Sequence, residues 1–161
     1  MGSMFRRQRN RLSLDVYRGR IACFVTTSVL GGWPAFAREG AVMGCLSVLR
    51  TCCEKHGVEL YAYCFMPDHV HLLLLGTDRA DVIAFVKDFK QRSGFACNRL
   101  FQRRGAFWQK SYHDHVLRTD EDIGSIAGYI WGNPVRAGLV DQMSDYPFSG
   151  SLVFGGEVLG R

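Results

Sequence analysis

A chain of 161 residues suits one compact domain with one core, and 47% hydrophobic with 22% charged residues is ordinary for a globular protein. The formal net charge of +5 favours an anionic partner such as nucleic acid without requiring one. No stretch reaches the roughly 20 apolar residues that span a bilayer, and six cysteines without a CxxC pair read as free, buried thiols in a reducing cytoplasm rather than as a disulfide framework.

The opening Met-Gly-Ser-Met reads as a tag remnant, with Met4 as the native start, inside a basic tail over residues 1–14 that carries Arg6, Arg7, Arg9 and Arg11. An apolar run from Ile21 to Leu30 follows, and Ala35-Phe36-Ala37 resembles a signal-peptidase site. Thr26, Thr27 and Ser28 inside the run, with Asp15, Arg18 and Arg20 before it, speak against secretion. Residues 21–28, rich in β-branched and aromatic types, predict a first strand. The spacing of Val42/Met43, Leu46, Leu49 and Cys53 predicts a helix over 35–56, with Gly57 as its left-handed cap. Glu59 to Phe65 reads as a second strand and His69 to Leu75 as a third, antiparallel across the turn Met66-Pro67-Asp68. Thr77 or Asp78 is the expected cap of a second helix, whose apolar face holds Val82, Phe85/Val86 and Phe89. That helix runs into a basic segment with Lys87, Lys90, Arg92, Arg99, Arg103, Arg104 and Lys110, and Phe107 to Leu117 reads as a fourth strand region. Thr119 is the expected N-cap of a third helix, with Ile123, Ile126, Ala127 and Ile130 as its stripe and Pro134 as its stop. The order predicts an α+β fold: a ferredoxin-like or RRM-like antiparallel sheet, β-α-β-β-α-β, with helices on one face plus a C-terminal helix.

Chemistry enters at "FMPDHVHLLLL" (65–75), where two imidazoles open an apolar run. Residues two apart share a strand face, so His69 and His71 project together while Val70, Leu72 and Leu74 face the core. About 7 Å of strand rise separates them, a spacing that can chelate one metal ion. An ordinary polar surface is the alternative, and His113-Asp-His115 repeats the pattern. On the third helix Tyr129 and Asn133 are four apart on one face, with Asp122 near the same line. Tyr129 falls beside the isoleucine stripe: either its ring packs at the core edge with a wet hydroxyl, or the phenol stands next to a metal. The arginines of the tail and the 87–110 segment bind phosphates or form a solvated face. Phe107, Trp108 and Trp131 stack on unpaired bases or belong to the core.

Four segments in order, "YCFMPDHVHLLL" (63–74), "FWQKSYHDHVLR" (107–118), "YIWGNPVRAGLV" (129–140) and "DYPFSG" (145–150), resemble the IS200-like single-tyrosine transposases, and most of all their branch associated with repetitive extragenic palindromes (REP) in bacteria. The resemblance covers roughly residues 15–150 and leaves 151–161 as a short tail without any added DNA-binding extension. It implies an HUH endonuclease (U being apolar), with His69 and His71 as metal ligands, Asn133 completing the metal site, Mg²⁺ or Mn²⁺ as cofactor and Tyr129 as nucleophile. The implied substrate is single-stranded DNA carrying a hairpin, cleaved and rejoined through a 5′-phosphotyrosine in the bacterial cytoplasm, by a homodimer or a monomer. Arg6, Arg7, Arg9, Arg11, Lys87, Lys90, Arg92, Arg103, Arg104 and Lys110 are the candidate DNA contacts, and His113 and His115 are DNA contacts or strand surface. Gly124, Gly128 and Gly132 loosen the tyrosine helix, each at about 1 kcal/mol relative to alanine. Two other functions fit the same residues: a hairpin binder without turnover, and a water-using metal-dependent phosphoesterase that survives Tyr129→Phe.

Overall fold

Three strands rich in β-branched, aromatic and leucine residues build the sheet: β1 (Ala22–Ser28), β2 (Val58–Met66) and β3 (His69–Gly76). The computed structural model describes residues 12–154. β3 lies antiparallel between β1 and β2, β4 (His113–Val116) pairs with the outer side of β1, and β5 (Ser149–Gly150) pairs with β2. The order is β4-β1-β3-β2-β5, the α+β antiparallel sheet that the element order predicts.

Leu72, Leu73 and Leu74 are all fully buried, because both faces of the sheet are covered and a strand buried on both sides reads as one apolar run. On one face Cys23, Val25, Val70, Leu72 and Leu74 meet Cys45 and Leu49 of α1 (Glu39–His56) and Phe85 and Phe89 of α2 (Val82–Phe101). On the other, α3 (Ile123–Trp131) lays Ile126, Ala127, Ile130 and Trp131 against Phe24, Ala62, Cys64, Met66 and Leu73. A register shift between Leu60 and Ala62 lets β2 serve both cores: Val58 and Leu60 face α1 and α2, whereas Ala62, Cys64 and Met66 face α3. One extra residue in a strand flips every side chain beyond it. Each buried leucine contributes about 1.5–3 kcal/mol of transfer free energy.

Several expected boundaries move. The first helix begins at Glu39, and residues 35–37 form a separate 3₁₀ turn behind Pro34. Neither Thr77 nor Asp78 caps α2: Thr77 donates to the Gly57 carbonyl, Asp78 pairs with Arg20, and Asp81 accepts from the Ala84 amide. Thr119 likewise yields to Asp122 as the cap of α3. The fourth strand is only four residues long, with a single bridge between Val29 and Trp108 marking the start of the expected region. Pro134 does not stop α3; it sits in the first turn of α4 (Asn133–Arg136), where its missing N–H costs nothing. Phe107, Trp108 and Trp131 are core, with the Trp108 indole donating to Ser93 and that of Trp131 to the Gly150 carbonyl. Gly57, at φ 64°, caps α1 as expected, and all six cysteines are free thiols. No helix among the described residues is long and apolar enough to cross a membrane.

Candidate active site

β3 leaves its turn with His69 and His71 on the face that α3 covers. The two Nε2 atoms lie 3.1 Å apart, and the rings stand nearly perpendicular with centroids separated by 4.7 Å. The side chains therefore lean together well inside their backbone spacing. Each outer nitrogen is held: His69 Nδ1–H donates to Asp68 Oδ1 at 2.7 Å, and His71 Nδ1 bonds Thr26 Oγ1 at 2.8 Å. Thr26 stands there because the β1–β3 register pairs it directly with His71. Phe24, one pleat away, stacks on the His71 ring at 5.6 Å. A carboxylate only accepts, so the proton on His69 sits at Nδ1 and the lone pair of a neutral ring is at Nε2. The threonine hydroxyl can donate or accept, so His71 can take either tautomer. Burial lowers the His71 pKa to about 3, helped by the neighbouring His69 and Arg136 charges. His71 is thus neutral, the form in which an imidazole is able to ligate a metal.

Two neighbouring positions around an octahedral ion with donors at about 2.1 Å are about 3.0 Å apart. The 3.1 Å separation of the Nε2 atoms fits one divalent ion on that measure. Among the described residues no group of three or more His, Cys, Asp and Glu side chains is gathered around a metal position.

The tyrosine comes from the opposite layer. Asp122 starts α3 by accepting from the Gly124 and Ser125 amides at 3.1 and 3.2 Å and from the Ser125 hydroxyl at 2.7 Å. Its carboxylate is committed to the cap, so Asp122 does not extend the Tyr129–Asn133 line. Tyr129 is half-buried in the last turn of α3. Asn133 opens α4 after Gly132, and its Nδ2 donates to the Ile130 carbonyl at 3.2 Å, which identifies Oδ1 as the acceptor end of the amide. Arg136, at the end of α4, folds back with its guanidinium 4.0 Å from the Tyr129 ring centroid and donates to the Tyr129 carbonyl. The same sheet face continues outward from His71 through Thr26 to His113, and from Leu73 through Phe24 to His115, on the edge strand β4. His115 bonds Glu121 at 2.9 Å, and His113 is exposed.

Compared with known proteins, residues 36–133 match the family described as "Transposase IS200 like". That stretch is more than half of the chain and holds both histidines, Tyr129 and Asn133. The chain belongs to the IS200-like transposase family. A curated Haemophilus influenzae relative, assigned to the REP-associated tyrosine transposases, is 33% identical over 113 residues, 64% of this chain and 64% of its own length. The REP-associated tyrosine transposase of Escherichia coli K12 is 30% identical over 92 residues, 56% of this chain and 53% of its own length. This IS200-like chain thus spans under two thirds of each of those relatives. A solved REP-associated tyrosine transposase, bound to a REP hairpin, shares its fold with a TM-score of 0.72 at 22% identity, covering 92% of this chain and 82% of that one.

The basic residues of this transposase-family chain divide by environment. Arg6, Arg7, Arg9 and Arg11 lie outside the described residues. Lys90 donates to the Gln109 carbonyl at 2.6 Å and lies over the Tyr112 ring, and Arg92 pairs with Asp88 at 2.7 Å, so both are engaged within the fold. Lys87 and Lys110 are exposed. Arg103 stacks on Trp33 at 4.3 Å and Arg99 lies over the exposed Phe95 ring at 5.9 Å; with Arg104 they border a groove of about 510 Å³ at the end of α2. Sequence reasoning missed Thr26 and Arg136. Only a strand register could have found Thr26. Arg136 lies seven residues after Tyr129, a spacing that returns to the same side of a helix, inside a motif already singled out.

Proposed function

We propose that this IS200-like chain cleaves and rejoins single-stranded DNA at hairpin sequences through a 5′-phosphotyrosine on Tyr129. The observation that carries the reading is the convergence of His69 and His71, with Nε2 atoms 3.1 Å apart and both outer nitrogens fixed, on the sheet face covered by the tyrosine helix. His69 and His71, with Asn133 Oδ1 as third donor, would hold Mg²⁺ or Mn²⁺, which supplies polarisation of a phosphoryl oxygen and orients the scissile phosphate. Tyr129 Oη attacks phosphorus in line. The Oη–P bond forms, the bond from phosphorus to the 3′ oxygen breaks, and the phenol proton passes through solvent to leave a free 3′-OH. The covalent link keeps the phosphodiester bond energy, so the 3′-OH of another strand reverses the attack and rejoins DNA without ATP. The groove beside Arg99, Arg103 and Arg104 offers cations to phosphates and an aromatic ring, Phe95, to bases. The family name and its hairpin-bound structural neighbour are in keeping with such a substrate.

Labelled single-stranded hairpins from the DNA flanking the gene, incubated with protein and Mn²⁺ or Mg²⁺ and run on a denaturing gel, test the reading. The expected result is a metal-dependent covalent adduct that disappears in Tyr129→Phe and in His69→Ala. Cleavage that survives Tyr129→Phe without an adduct would instead make the protein a water-using phosphoesterase. Tight hairpin binding with neither cleavage nor adduct would make it a binding module.

A further inference from the structure

Arg136 touches Tyr129 twice. Its guanidinium lies 4.0 Å from the centre of the tyrosine ring, and the same group donates to the Tyr129 backbone carbonyl. That carbonyl belongs to the last turn of α3. The arginine's present seat uses space that glycine leaves at residue 132: a Cβ there would stand 2.7 Å from Arg136 Nη1 and 3.2 Å from the Gly128 carbonyl, so the guanidinium would have to shift. Gly132 has an ordinary helical backbone, φ −79° and ψ −10°, so the turn itself does not demand glycine.

We propose that Arg136 is a positioning residue for Tyr129, one that holds the phenol by a ring face and the backbone by its carbonyl and so fixes where Oη points. The proposal rests on the reading of Tyr129 as nucleophile, and it concerns a residue beyond the matched stretch 36–133. A flat cation against an aromatic face locks a ring that otherwise turns about two side-chain bonds. Nucleophilic attack needs that lock, since a misplacement of about 1 Å can cost on the order of 100-fold in rate.

Two variants test it from opposite sides. Arg136→Met removes the cation and keeps the stem; Gly132→Ala keeps the cation and pushes it off the ring. Both are expected to slow covalent adduct formation by about tenfold to 100-fold. The double variant is expected to be no slower than Arg136→Met alone, because both remove one contact. Arg136→Lys, which keeps the charge and loses the flat face, is expected to stay slow. Gly132→Ala is expected to melt no lower than the parent, since alanine favours helix over glycine. A merely structural arginine would make rate follow stability instead. A readout independent of DNA comes from NMR of protein carrying ¹³C-labelled tyrosine rings, with the Tyr129 signals identified by their loss in Tyr129→Phe. Those signals are expected to move in both Arg136→Met and Gly132→Ala. Unmoved signals, or either variant reacting at the parental rate, would overturn the proposal. Signals that move in a protein that forms no adduct would uphold the contact and sink the nucleophile reading.

Discussion

The residues that prepare His69 and His71 are neither histidines nor acids placed to bind metal. Asp68 accepts from His69 Nδ1–H at 2.7 Å, and the Thr26 hydroxyl bonds His71 Nδ1 at 2.8 Å. A ligand whose outer nitrogen is fixed presents the inner one at a set angle, and loss of such a partner typically costs 10–100-fold in metal affinity. Thr26→Val keeps shape and deletes the hydroxyl. It is expected to weaken Mn²⁺ binding by about tenfold to 100-fold in calorimetry, with the circular dichroism of the parent. Asp68→Asn keeps an acceptor oxygen and loses only the charge, so its loss is expected to be smaller. Parental Mn²⁺ affinity in Thr26→Val would remove the outer-nitrogen account. At this scale the sequence was readable where a rule is local. Strand alternation alone places His69 and His71 on one face. Thr26 is 45 residues from His71 in the chain, and nothing short of the β1–β3 register brings it there.

Between elements, one carboxylate bolts α1 to α2. Asp88 accepts from His56 at 2.9 Å, Lys55 at 3.0 Å and Arg92 at 2.7 Å. The His56 hydrogen bond foremost, then those of Arg92 and Lys55, hold the Asp88 carboxyl below the usual carboxylate range against the opposing effect of burial. A carboxyl with a lowered folded pKa gives stability that is present above its unfolded pKa, about 3.9, and lost as pH falls toward the folded value. Asp88→Asn is expected to cost roughly 1–2 kcal/mol at neutral pH and to flatten the fall of melting temperature below about pH 4. An equally steep acid fall in the variant would assign that limb to other carboxylates. The tyrosine helix is the weaker element: α3 has nine residues, two of them glycine, and depends on Asp122 for its start. Without DNA, the amides of residues 123–133 are expected to exchange faster than those of β1 and β3, and Asp122→Ala, which removes the cap, is expected to speed them further. Protection equal to the strands would make α3 a rigid part of the core. The helices themselves were legible from apolar spacing, as was the glycine cap that ends α1, but the N-caps were not. Thr77, Asp78 and Thr119 have the right chemistry for a cap, and so do Asp81 and Asp122. The chain chose by tertiary demand, with Thr77 spent on the Gly57 carbonyl and Asp78 on Arg20.

The whole molecule sets the histidine pair at one end of the sheet, beside the turn Met66-Pro67-Asp68. The Phe36 amide bonds the Pro67 carbonyl and the Val29 amide bonds the Asp68 carbonyl, so the loops around residues 29–36 and 107–109 gather at that same end. Trp33 carries Arg103 there, and Arg38 lies 5.5 Å over the Phe101 ring at the end of α2. A net charge of +5 spread evenly would say little about DNA. That Arg38, Arg99 and Arg103 sit on aromatic faces around the end of α2 is what composition could not reveal, because helix ends and loops far apart in sequence meet only in the fold. The cations nevertheless differ in what they have left to give. Arg92 is bound to Asp88 and Lys90 to the Gln109 carbonyl, whereas Arg103 and Arg104 are exposed beside the groove. For single-stranded DNA each phosphate contact contributes about 0.7 to the slope of log affinity against log salt. Hairpin binding measured across a salt series is therefore expected to lose about 0.7 of slope in Arg103→Ala, and about the same in Arg104→Ala. Arg92→Gln is expected to lower the melting temperature and leave the slope where it was. A slope unchanged in all three would make the groove a solvated face and move the phosphate contacts elsewhere. A slope lost in Arg92→Gln as well would mean that DNA competes with Asp88 for its arginine.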